Sequence, residues 1–146
     1  VPTDHDFLAA AIDLSKQCPP SRTAFSVGAY VVDRDGTVLA TGYSREGDPV
    51  VHAEESALGK VREKDLANAT VYSSLEPCSR RASRPVTCAR LILAAGVRRV
   101  VFAWREPAIF TDCDGAEILR AGGVEVVEIP ELAAGVRAIN QHLLPS

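Results

Sequence analysis

Four residues of this 146-residue sequence, His52, Glu54, Cys78 and Cys88, are of types and at spacings that could do chemistry together. His52-Ala53-Glu54-Glu55 opens one predicted helix, and Pro77-Cys78 is followed by Cys88 at the start of the next. Zinc takes imidazole nitrogen and thiolate sulfur readily, and three protein ligands leave a fourth position for water. Helix N-termini suit such ligands, because their unpaired N–H groups and positive dipole end favour a bound thiolate. Glu54 follows His52 too closely to share one helical face with it, yet in a first turn both side chains can converge on one cavity. A glutamate there can take a proton from an activated water and deliver it to a ring nitrogen and a departing amine. Hydrolytic deamination needs that proton traffic.

The elements that must position these residues follow from the pattern of apolar residues and chain breakers. A helix is predicted over 6–16, stopped by Cys18-Pro19-Pro20, since two prolines cannot continue it. Runs 25–32 and 38–42 flank Asp33-Arg34-Asp35-Gly36 and read as an antiparallel hairpin. Beyond a polar loop come a helix over 52–61, a strand over 70–75, a helix over 89–95 capped by Gly96, and a strand over 97–104. A helix over 115–121, a strand over 124–129 and a helix over 132–143 complete an order in which helices alternate with strands after the hairpin. That order predicts an α/β fold: a mixed sheet with helices on both faces and its later strands parallel.

Singly, the chemical residues have plain readings: a lone histidine is often a structural hydrogen-bonding group, and two cysteines are often core. The combination carries more. Val50-Val51-His52-Ala53-Glu54 and Ser74-Leu75-Glu76-Pro77-Cys78 resemble the two zinc motifs of the cytidine-deaminase-like superfamily, and the element order from about residue 24 to 127 is similar too. The resemblance implies a cytidine-deaminase-like three-layer α/β/α sandwich on a five-stranded mixed sheet. It implies Zn2+ held by His52, Cys78 and Cys88, an activated water as nucleophile and Glu54 as proton shuttle. Backbone groups near Ala53, Ser74 and Cys78 would orient the substrate ring.

Most members of the superfamily have two residues between the cysteines; here there are nine, Ser79 to Thr87. A long insertion at this place is similar to the pyrimidine deaminase of riboflavin biosynthesis, where Pro-Cys-Ser leads into a basic, proline-containing loop usually one residue shorter. Cys78-Ser79, Arg84 and Pro85 resemble that loop. Its arginines, Arg80, Arg81 and Arg84, form either a solvated turn or a phosphate clamp, since guanidinium binds phosphate bidentately. Arg84, then Arg80, are the candidates for a clamp, because a loop strung between two ligands must border the site. Two positions depart from the riboflavin type. Thr23-Ala24-Phe25 stands where that family has Pro-Asn-Pro with a substrate-contacting asparagine, and Ser44, a different donor, stands where it often has histidine. A shifted substrate, or a specialised pathway using a related aminopyrimidine, would account for both.

Trp104, at a strand end where ligands of open sheets collect, serves either base stacking or a subunit interface. Cys18 and Cys113 lack ligand spacing and read as packing residues, while His5 and His142 read as solvent-facing.

Composition bounds the rest. Residues 1–146 fit one deaminase domain with an ordinary balance of 47% hydrophobic and 24% charged residues. A net charge of −3 gives no field favouring duplex nucleic acid, and the absence of an extended basic track argues against a tRNA or single-strand DNA editor. No uninterrupted apolar run reaches the ~18 residues of a membrane span, and Val1 to Phe7 does not read as a secretory signal. The four cysteines then read as free thiols or metal ligands, and the expected location is cytoplasmic. The expected activity is zinc-dependent hydrolytic deamination of an aminopyrimidine, a phosphorylated riboflavin-pathway-like nucleotide foremost. Alternatives are a cytidine, deoxycytidylate or free-base (cytosine, guanine) deaminase and, without catalysis, a structural-zinc interaction module. Superfamily resemblance implies a homodimer or homotetramer.

Overall fold

The computed structural model describes residues 2–79, 86–105 and 114–144. Helix α1 (Asp4–Leu14) starts at a reciprocal cap: the Asp6 amide donates to the Thr3 hydroxyl, and the Thr3 amide donates to the Asp6 carboxylate. A 3-10 turn (Ser15–Gln17) ends it ahead of Pro19 and Pro20. Strands β1 (Gly28–Val32) and β2 (Val38–Tyr43) form the hairpin, with Gly36 in the turn. There follow α2 (Ala53–Gly59), β3 (Thr70–Leu75), α3 (Cys88–Ala94), β4 (Arg99–Trp104), α4 (Gly115–Ala121), β5 (Glu125–Glu128) and α5 (Ala133–Ile139).

The five strands form one sheet in the order β2-β1-β3-β4-β5. β1 is antiparallel to both β2 and β3, whereas β3, β4 and β5 are mutually parallel. Successive strand residues face opposite sides of a sheet. Val31, Val71 and Val100 therefore pack with Ala57, Leu58 and Ile92 of α2 and α3, while Val32, Tyr72 and Val101 pack with Leu8, Ile12 and Val136 of α1 and α5. Both faces are covered, which is why these strands read as continuous apolar runs rather than alternating ones. The expected three-layer sandwich is the observed one. Among the described residues no helix is long and apolar enough to cross a membrane.

Most boundaries lie within one or two residues of the sequence expectation, and two larger differences have a visible cause. β1 begins at Gly28, not at 25, because the amides of Ser26 and Val27 donate to the side chains of Asn140 and Ser44 instead of to a neighbouring strand. The last helix ends at Ile139 and a 3-10 turn (Gln141–Leu143) replaces its expected continuation. Asn140, fully buried, leaves helical geometry at φ −104°, ψ 11° and turns its amide toward Ser26.

Parallel strands β3 and β4 end on the same side of the sheet. The antiparallel neighbours place the start of β1 and the end of β2 there as well. Gly42 lets α2 settle against that end, since a Cβ on it would run into the Ala53 carbonyl and the Ala57 amide. The start of α2 is thereby fixed beside the end of β3.

Candidate functional site

At this end of the sheet the ligand atoms of His52, Cys78 and Cys88 all lie within 4.8 Å of one another. His52 is the N-cap of α2, in extended backbone conformation, and its amide donates to the Glu55 carboxylate at 3.2 Å. Cys78 follows β3 by three residues, and Cys88 is the first residue of α3, capped by Thr87. The His52 Nδ1 atom is 3.5 Å from Cys78 Sγ and 3.4 Å from Cys88 Sγ. Tetrahedral zinc, with its usual bond lengths to nitrogen and sulfur, requires an N···S separation of about 3.6 Å. The donor set fits zinc. Among the described residues no fourth histidine, cysteine or acidic group joins the cluster.

The N-terminus of α3 serves Cys78 as well as Cys88. The Cys88 amide donates to Cys78 Sγ at 3.2 Å, and the Ala89 amide donates to the Cys78 carbonyl at 3.0 Å. The Cys78 thiol is drawn down to about 4, first by its hydrogen bond with the Cys88 thiol and then by His52 and the Cys88 amide, with burial opposing. Cys78 is thus poised as a thiolate. Glu54, in the first turn of α2, is buried at 4% exposure.

A second clamp holds the Cys78 loop from behind. The Ala116 amide donates to Glu76 Oε2 at 3.0 Å, and the Asp114 amide donates to the Ser79 hydroxyl at 2.9 Å. Gly115 between them presses on the Pro77 carbonyl, where any Cβ would collide with backbone. Buried Glu76 also faces Arg105 at 3.7 Å, which pairs in turn with Glu117 and Glu128. In the sequence Glu76 stands out only as a charge between the end of β3 and Pro77. Asn140 and Arg45 carry no comparable mark in the sequence. Asn140 shows only as a polar residue on an otherwise apolar helical face.

Of the substrate-contact candidates, Ala53 is fully buried as the first residue of α2. The Ser74 hydroxyl accepts from the Gly28 amide at 3.1 Å, and that of Ser44 accepts from the Val27 amide at 2.9 Å. Both serines therefore hold the lead-in to β1. Arg80 and Arg84 lie outside the described residues, as does Cys113. Half-buried Cys18 directs its thiol at the Val27 carbonyl, and His5 and His142 are exposed. Trp104 meets Phe25 edge-on, with ring centroids 5.9 Å apart. No disulfide joins any two of the described cysteines.

Comparison with known proteins agrees with this geometry. The family model described as "Cytidine and deoxycytidylate deaminase zinc-binding region" matches residues 1–104. A Schizosaccharomyces pombe protein named diaminohydroxyphosphoribosylamino-pyrimidine deaminase is 39% identical over 132 residues, covering 87% of this chain and 32% of its own length. The crystal structure of a diaminohydroxyphosphoribosylaminopyrimidine deaminase/5-amino-6-(5-phosphoribosylamino)uracil reductase from Thermotoga maritima superposes with a TM-score of 0.77 at 32% identity. It covers 93% of this chain and 38% of that one. The Aspergillus oryzae Rib2 deaminase, at 24% identity, shares the fold over nearly the full length of both chains: 97% of this one and 96% of that one, TM-score 0.76. The chain spans about a third of the length of the curated relatives it matches.

Proposed function

Since the chain belongs to the cytidine and deoxycytidylate deaminase zinc-binding family, we propose that it is a zinc-dependent hydrolase that deaminates an aminopyrimidine. The substrate on this reading is a phosphorylated pyrimidine nucleotide of the riboflavin-pathway type, as the names of the S. pombe and T. maritima proteins suggest. The reaction exchanges an exocyclic amine for oxygen: water adds to the amidine carbon, the C–N bond breaks and ammonia leaves. The observation that carries the reading is the cluster of His52, Cys78 and Cys88, a three-ligand set with Glu54 buried in the same helical turn as its histidine.

Bound zinc would supply Lewis acidity, lowering the pKa of a water in its fourth position to about 7. The protein's own part is proton movement and alignment. Glu54 accepts the proton of the attacking water, passes it to the ring nitrogen and assists the departing amine. The backbone at Ala53 and the end of β3 at Ser74 orient the ring, Ser44 supports that wall, and Arg84 with Arg80 engages the phosphate. On this reading residues 1–146 act as one deaminase unit, in the cytoplasm and as a homodimer or homotetramer.

Ammonia release from a panel of riboflavin-pathway pyrimidine nucleotide, cytidine, deoxycytidylate, cytosine and guanine, with zinc content measured in parallel, tests the proposal. Release from the first substrate above the others supports it. The family match favours deoxycytidylate as the second reading, and preference for that substrate would replace the first. A stoichiometric, tightly held zinc with no turnover of any panel member would leave the structural-zinc module.

A further inference from the structure

Arg45, at the corner after β2, is the one non-glycine residue with a left-handed backbone among the described residues, at φ 64°. Glycine takes that conformation without steric penalty, as Gly47 does two residues later at φ 71°. A strained L residue persists where its side chain has a task. The side chain is fully engaged: Nε donates to the Pro19 carbonyl at 2.9 Å, one terminal nitrogen to the Phe25 carbonyl at 3.2 Å, and the other to the Ser26 hydroxyl at 2.8 Å. No carboxylate lies within ion-pair distance of Arg45 among the described residues. The fork ties the Pro19 carbonyl to the segment at Phe25 and Ser26.

That stretch lies beside the metal cluster. Phe25, Ser26 and Val27 lead into β1 at the sheet end where β3 runs toward Cys78, and the next residue, Gly28, donates to Ser74 of β3. The Arg45 amide also donates to the Val51 carbonyl at 2.8 Å, one residue before His52. Any residue but proline keeps this amide bond, whereas the bonds to the Phe25 carbonyl and the Ser26 hydroxyl need the guanidinium; Asn140 holds the Ser26 backbone from the other side. Ligands of open α/β sheets bind beyond the carboxyl ends of the parallel strands, where these segments meet.

Resting on the deaminase reading, we propose that Arg45 is a positioning residue that fixes Phe25 and Ser26 as the wall against which the substrate seats, without acting on the metal ligands. The test compares Arg45→Gly and Arg45→Lys with the wild type. Glycine removes both the guanidinium and the backbone strain. Arg45→Gly is expected to raise KM about tenfold or more, to change kcat less than about threefold, to keep full zinc content, and to lower Tm by only a few degrees, since relief of the backbone strain partly offsets three lost hydrogen bonds. Arg45→Lys, with a point charge in place of the fork, falls between. Emission of Trp104, the only tryptophan, reports on the wall through its contact with Phe25 and shifts in Arg45→Gly. An unchanged KM, loss of zinc, or a fall in kcat that matches the rise in KM overturns the proposal. So does unaltered Trp104 emission, which is readable even if no panel substrate is turned over. A wild type that holds zinc yet releases no ammonia refutes the deaminase reading separately.

Discussion

Asn140 joins the two ends of the chain, and removing its amide has a calculable effect. Its Oδ1 accepts from the Ser26 amide at 2.6 Å, and its Nδ2 donates to the carbonyls of Ser26 at 3.1 Å and Val136 at 3.0 Å. Asn140 is fully buried and Ser26 is 8% exposed. Asn140→Ala therefore strands both backbone groups of Ser26, while the Val136 carbonyl keeps the Asn140 amide as a partner. A buried polar group left unpaired costs about 1–3 kcal/mol, so two of them with the space left behind amount to about 3–5 kcal/mol. For a chain of this length that lowers Tm by about 10–15 °C. Urea or thermal unfolding, followed by circular dichroism, reads it directly. A loss below about 1 kcal/mol would refute the reasoning, because it would mean water replaces the side chain at no cost.

Asn140→Asp sharpens the same test. One carboxylate oxygen still accepts from Ser26, but the other faces two carbonyl oxygens and has no proton to give. At neutral pH this variant falls at least as far as Asn140→Ala. Burial and carbonyl repulsion raise its folded-state pKa, so protonation restores the donor and the deficit relative to wild type shrinks as pH falls. A deficit that widens on acidification would sink the argument.

Glu54→Gln keeps zinc content at the wild-type level and lowers kcat by about 10²–10⁴, measured as ammonia release; equal turnover would remove Glu54 as proton carrier. Cys88→Ser lowers bound zinc measured by elemental analysis, and full retention would contradict the three-ligand cluster. Gly115→Ala forces a Cβ onto the Pro77 carbonyl and destabilises by about 1–3 kcal/mol, whereas Gly59→Ala, with open space around it and helical propensity in its favour, is neutral or stabilising by up to about 1 kcal/mol. The Arg99 guanidinium, bonded at 2.8 and 2.6 Å, holds the Asp4 carboxyl below the usual aspartate range, with burial opposing and the Tyr72 hydroxyl assisting. Its contribution is therefore present above about pH 4 and lost as pH falls through the lowered value. Asp4→Asn should be less stable than wild type by about 1 kcal/mol from pH 8 to 5, with the gap closing below pH 4.

The candidate metal cluster was legible because the chemistry forces both residue type and place: a histidine and a cysteine at helix starts, with a second cysteine just past the strand between them. The sheet was legible because Val31-Val32 and Val100-Val101 pair residues facing opposite layers, which a sheet covered on both sides demands. What the sequence hid is what depends on distant partners. Nothing near Asn140 announces Ser26, 114 residues away, so the run 132–143 reads as an uninterrupted helix. Ser44 and Ser74 show the converse. Each lies at the site end of a strand, where a ligand contact is a natural expectation, yet each hydroxyl holds the backbone leading into β1. Arg45 resembles any charged loop residue until its φ is known.

These supports explain how a nine-residue interval can stand between two ligands of one metal. At its start, Cys78 receives the amide of Cys88 on its sulfur and that of Ala89 on its carbonyl, while Ser79 takes the Asp114 amide. At its end, Cys88 is seated in α3 under the Thr87 cap. Cys78 and Cys88 are thus fixed by the two ends of the interval, Ser79 and Thr87, and by the start of α3 beyond it. Closure entropy grows only logarithmically with the number of residues, so an interval of nine in place of two costs about 1–2 kcal/mol. An interval anchored at both ends can differ in length and charge without moving Cys78 or Cys88.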